Sequence, residues 1–185
     1  MPILTSPRAA AAGAAVGGAA FAVSGALQAT GLDWTQNTVE TPLQHLTMAL
    51  FALGLVAIIP TLAALARLAD GRGGYGWIAM AIGQAGVAAA STVSNLRGVD
   101  ASWFPPAAVV ANGLWLLGTF ALAVALWRGR RVPKLVAAGL VVAYIGSIPA
   151  ATVGGGLVTG CYWLAVAYLF SLGALERRNL QPATV

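Results

Sequence analysis

Apolar residues run in six stretches of about twenty, the length a helix needs to cross a bilayer, and short polar connections separate them. The stretches are 9–31, 43–68, 75–96, 104–127, 134–153 and 156–175. They predict an all-α integral membrane protein, one polytopic domain over 1–185 folded as a compact bundle of six transmembrane helices. The first stretch has the outline of a secretory signal peptide, with Arg8 ahead of an alanine-rich run. That run is longer than a usual signal core and no small-x-small site closes it, so it is read as a span.

The polar exceptions inside these stretches are ordered. Gln84, Ala88, Ser91 and Asn95 recur at i, i+4, i+7 and i+11, one helical face. Asn112, Trp115 and Thr119 make a stripe on the fourth stretch, Tyr144 and Ser147 on the fifth, Thr159 and Tyr162 on the sixth, and Ser24 and Gln28 close the first. Amides are costly in hydrocarbon unless paired, so the stripes are expected to face the bundle interior. There they either line a cleft or bond helix to helix. Pro60 and Pro149 each remove a backbone donor and predict kinks late in the second and fifth helices. Their matching positions raise a 3+3 inverted repeat, a design found in transporters. Gly13 and Gly17 are four apart, as are Gly156 and Gly160, a spacing that lets helices approach closely, within one bundle or in a homo-oligomer.

Charge orients the spans. Of ten basic residues, Arg8, Arg67, Arg72, Arg128, Arg130, Arg131, Lys134, Arg177 and Arg178 fall on one side of a six-span pattern, and Arg97 falls on the other. The positive-inside rule then places both termini in the cytoplasm, in a plasma membrane. On this orientation polar residues accumulate outside. The first outer loop carries Asp33, Trp34, Gln36, Asn37 and Glu40, and the second carries Arg97, Asp100 and Trp103.

Composition agrees with a membrane solvent. The chain is 59% apolar and 8% charged, against about 25% charged in soluble domains. Its net charge of +5 sits in short loops rather than in a basic stripe interleaved with aromatics. Membrane lipids are therefore the expected partner and nucleic acid is not. A single cysteine, Cys161, and a single histidine, His45, rule out an intrachain disulfide, a thiolate cluster and bis-histidine haem. No metal or cofactor is expected.

The chemistry available on the outer side is acid–base. Asp33, Glu40, His45 and Asp100 are the candidate catalytic set, His45 because imidazole titrates near neutrality. Gln28, Gln44, Gln84, Asn95, Arg97, Trp103, Asn112, Trp115, Tyr144 and Tyr162 are the candidate binding set. Together they predict a polar cleft in the extracytoplasmic half that binds a lipophilic small molecule and can convert it in the manner of an isomerase or cyclase. Plainer roles compete. Thr41-x-x-Gln44, with Pro42, matches a capping box and makes His45 a first-turn residue. Arg97 can pair with Asp100, and Trp34, Trp77, Trp103 and Trp127 lie where interfacial aromatic belts occur. Two other function classes stay open: a small-solute transporter or pore, and a membrane scaffold or partner subunit. No Walker loop, zinc motif, nucleophile elbow or dinucleotide fingerprint is present.

Overall fold

A computed structural model describes residues 6–30, 38–69 and 71–177, apart from the side chains of residues 72, 176 and 177. In hydrocarbon every backbone N–H and C=O needs an internal partner, and a helix supplies it within one segment. The described chain accordingly forms α1 (Pro7–Gln28), α2 (Pro42–Ala57), α3 (Ile59–Leu68), α4 (Gly76–Arg97), α5 (Phe104–Gly129), α6 (Lys134–Ser147), α7 (Gly156–Ser171) and the single turn α8 (Ala174–Arg177). Two 3-10 turns, Gly71–Tyr75 and Ala151–Val153, precede α4 and follow α6. The continuous rods Pro7–Gln28, Pro42–Leu68, Gly73–Arg97 and Phe104–Gly129 are long and apolar enough to cross a membrane, and α6 and α7 are shorter apolar helices. The molecule is an all-α membrane bundle of six rods, with α2 and α3 forming one bent rod.

Local sequence sets the helix ends. The Ser6 hydroxyl accepts from the Ala9 amide at 3.1 Å ahead of Pro7. Thr41 and Gln44 form the capping box expected of them, with Pro42 in the first turn. Gly98 ends α4 in the left-handed region, where a residue without Cβ is unstrained.

Consecutive rods are antiparallel. Ser24 on α1 meets Thr47 on α2, and His45 on α2 meets Asn95 on α4. Gly83 on α4 meets Ala111 and Trp115 on α5, Trp115 meets Tyr144 on α6, and Ser147 meets Thr159 on α7. The bundle therefore has an upper end, where α1, α4 and α6 finish, and a lower end, where α1 begins and α7 finishes. Arg8, Arg67, Arg128, Arg130, Arg131 and Lys134 are exposed at the lower end, and Arg97 is exposed at the upper. At the upper end the two loops touch: Thr38 and Val99 form an isolated antiparallel bridge, and the Val39 amide donates to the Gly98 carbonyl at 2.9 Å.

The two prolines behave differently. Pro60 bends its rod at Ile58, and the helix resumes at once, with the Leu62 amide donating to the Ile58 carbonyl at 3.1 Å. At Pro149 the helix stops. The 134–153 stretch predicted as one span is helical only to Ser147, and the last stretch ends at Ser171 rather than at 175. The glycines after Pro149 offer another path. Ala150 donates back to Ile145 at 2.9 Å, Gly155 donates to Ala150 at 2.8 Å, and Gly154 takes a left-handed conformation. A missing proline amide thus kinks a helix that has no competing turn and ends one that has.

Close approach between rods depends on glycine. α1 lies most extensively on α7, and α4 on α5. A Cβ on Gly25 would collide with the backbone of Gly156 and Leu157, and one on Gly118 with the Met80 and Gly76 backbone. Gly13 and Gly17 face Ala57 and Ile58, while Gly156 and Gly160 face α1, so both four-residue glycine pairs are used inside one chain. Exchanging the first three rods with the last three carries the α1–α7 contact onto α5–α4. It also carries the contact between α1 and the turn Ala151–Val153 onto that between α5 and the turn Gly71–Tyr75. Toward the lower end the core is apolar, filled by Leu55, Ile58, Leu62, Leu65, Leu122, Leu126, Leu140 and Trp163.

Candidate functional site

The upper half is not filled in the same way. A partly open cavity of about 250 Å³ lies among the upper parts of five rods. α1 contributes Gln28, and α2 contributes Thr47, Met48 and Phe51. Val87, Ala90 and Ser91 come from α4, Phe104, Ala108 and Asn112 from α5, and Ser147, Ile148 and Ala151 from the end of α6 and its following turn. The wall is mainly apolar, with hydroxyls and two amides set into it. Its described lining contains no ionisable side chain.

Several of its polar groups already have partners. The Thr47 hydroxyl donates to the Leu43 carbonyl at 2.7 Å, and the Ser147 hydroxyl donates to the Ala143 carbonyl at 2.8 Å. Asn112 differs. Its Oδ1 is inaccessible to water and has no hydrogen-bond partner among the described residues.

A layer of further polar groups lies one turn below. Trp115 is one turn below Asn112 on α5, and Gln84 is one turn below Val87 on α4. Gly83 packs directly on Ala111 and Trp115, which sets this part of the two helices at one depth. Gln84 is fully buried, and its Nε2 and Oε1 have no partner among the described residues. Trp115 Nε1 is likewise buried and unpaired, and the indole is held edge-on by Tyr144 at 5.3 Å between ring centres.

The ionisable candidates sit elsewhere. His45 is half-buried near the start of α2 and faces α4. Asn95 Nδ2 donates to the His45 carbonyl at 3.2 Å, which turns Asn95 Oδ1 toward His45 Nδ1 at 2.7 Å. Because that oxygen can only accept, Nδ1 carries the proton in this contact. Glu40 is exposed and accepts from the Thr38 hydroxyl at 3.0 Å. Asp100 is half-buried just after the Gly98 turn, and Arg97 is exposed in the last turn of α4. None of these lines the cavity, and Asp33 lies outside the described residues.

Of the expected binding residues, Gln28 and Asn112 line the cavity, and Gln84, Trp115 and Tyr144 form the layer at and below its floor. Gln44 is engaged at the helix start, its Oε1 accepting from the Glu40 and Thr41 amides at 2.9 Å each. Trp103 lines a shallow groove between α4 and α5, with Ile82, Val110 and Leu114. Tyr162 reaches down to donate to the Val136 carbonyl at 2.9 Å, away from the cavity. Asn95 serves as the partner of His45. Residues absent from the expected set also line the site. Ser91 and Ser147 had a signal in the helical stripes, whereas Met48, Phe51 and Phe104 look like any other membrane-facing apolar residue in the sequence.

No protein family matches this chain, and no curated protein or solved structure is significantly similar to it.

Proposed function

We propose that this protein binds a small, neutral, lipophilic molecule in its upper cavity, with that end extracytoplasmic and both termini cytoplasmic. The orientation rests on the basic side chains gathered at the lower end. The observation that carries the binding reading is the cavity itself: an apolar wall with a few fixed amides and hydroxyls and no charge in its described lining. Small-molecule sites have this makeup. At about 250 Å³ the space falls below the roughly 300–1,000 Å³ usual for such sites, so it suits one slender molecule rather than a bulky cofactor. Binding has more support than conversion, because Glu40, His45 and Asp100 all stand outside the lining.

Mass spectrometry of an organic extract from protein purified in mild detergent tests this. The expected result is one lipophile near one copy per chain, lost from Ala108→Phe, which fills the cavity. Recovery of bulk phospholipid alone, unchanged by that substitution, would overturn the proposal.

A transporter is the second reading. The contacts that persist when the two sets of three rods are exchanged favour it, as does a break beside a proline in each set. The packed apolar core below the cavity counts against it. Flux through proteoliposomes separates the two, and binding alone predicts none.

A further inference from the structure

Four buried polar atoms on the packed helices α4 and α5 lack hydrogen-bond partners among the described residues: Asn112 Oδ1 in the cavity lining, and Gln84 Nε2 and Oε1 and Trp115 Nε1 one turn below lining residues. Buried polar groups are nearly always satisfied, so exceptions on two packed helices within one turn of each other mark a place where something else supplies the bonds. Asn112 belongs both to this cluster and to the cavity wall, which joins the two. The atoms also have a definite polarity. Gln84 Nε2 and Trp115 Nε1 can only donate, whereas Gln84 Oε1 and Asn112 Oδ1 can only accept.

We infer that the floor of the cavity recognises a hydroxyl group, and that the ligand is an uncharged lipophilic alcohol inserted with its oxygen toward Gln84. This rests on the proposed binding function and names its ligand class. A hydroxyl carries one donor and two acceptor positions. It can donate to an amide oxygen while accepting from the indole and the Gln84 amide. A ketone, ester or ether oxygen only accepts and leaves both amide oxygens unpaired. A carboxylate would set a negative charge against those oxygens with no cation in the described lining. The remainder of the molecule lies along Val87, Ala108 and Ile148 toward the upper end.

The test uses the full chain in detergent and two labelled probes, 1-dodecanol and n-dodecane, with binding read by scintillation proximity. Wild type is expected to hold dodecanol at least tenfold more tightly than dodecane. Gln84→Met keeps the shape and removes the amide, and Trp115→Phe keeps a ring against Tyr144 and removes the N–H. Each is expected to weaken dodecanol about tenfold and to leave dodecane unchanged. Ala108→Phe should abolish both. Having two conservative variants guards against misfolding of either, since retained dodecane binding reports an intact cavity. Equal binding of the two probes, with both floor variants silent, overturns the hydroxyl inference and leaves the cavity reading standing. Failure of wild type to bind either probe overturns both.

Discussion

Two amides on α4, eleven residues apart, illustrate opposite fates of a polar group in hydrocarbon. Asn95 is fully used, bonding both the ring and the backbone of His45 and fastening α2 to α4. Gln84 is fully buried and bonds nothing among the described residues. The two should therefore respond with opposite sign to an apolar replacement. Removing a desolvated, unpaired amide relieves a penalty of about 1–3 kcal/mol, so ligand-free Gln84→Leu is expected to be more stable than wild type by that order. Asn95→Leu strands the His45 Nδ1 proton and is expected to cost about 1 kcal/mol. Unfolding in mixed detergent micelles, followed by circular dichroism, reads both. The sequence pattern placed the two amides on one face of one helix and could not tell them apart. What distinguishes them is His45, fifty positions earlier in the chain, and no local periodicity encodes that meeting.

Among the helices, glycine decides which pairs touch. A methyl on Gly25 would overlap backbone atoms of α7, which cannot swing aside as a side chain can. Gly25→Ala is expected to destabilise the bundle by about 1–3 kcal/mol, as overpacked cores do. Gly113 lies in open space on α5, and Gly113→Ala is expected to stabilise by about 0.5–1 kcal/mol through reduced backbone entropy. The same detergent titration compares them. The four-residue glycine spacing on α1 and α7 was visible in the sequence, as were the six rods and the capping box at Thr41. The different outcomes at Pro60 and Pro149 were not. Both prolines remove one amide, and the result depends on whether a following residue takes up the freed carbonyl in a turn, as Ala150 does by donating to Ile145.

For the molecule as a whole, the basic residues give an orientation that chemical labelling can check. In a Cys161→Ala background, a cysteine at Arg130 is expected to react with a membrane-impermeant thiol reagent only after the membrane is opened. A cysteine at Asp100 should react in intact spheroplasts. The reverse pattern would invert the bundle and turn the cavity toward the cytoplasm. The proposed orientation draws on charge alone, whereas the cavity among the upper parts of five rods had no signal in the sequence, because apolar side chains wall the cavity and fill the core alike. The rods also differ in length. At about 1.5 Å per residue, the 26 residues of α5 extend roughly 39 Å, whereas the 14 of α6 and 16 of α7 extend roughly 21 and 24 Å. A hydrocarbon layer of about 30 Å cannot match both edges while remaining flat. A bilayer that thins beside α6 and α7 is one way to meet this mismatch, and it makes the acyl-chain length of the surrounding lipid a condition on how firmly the α6 edge of the cavity is held.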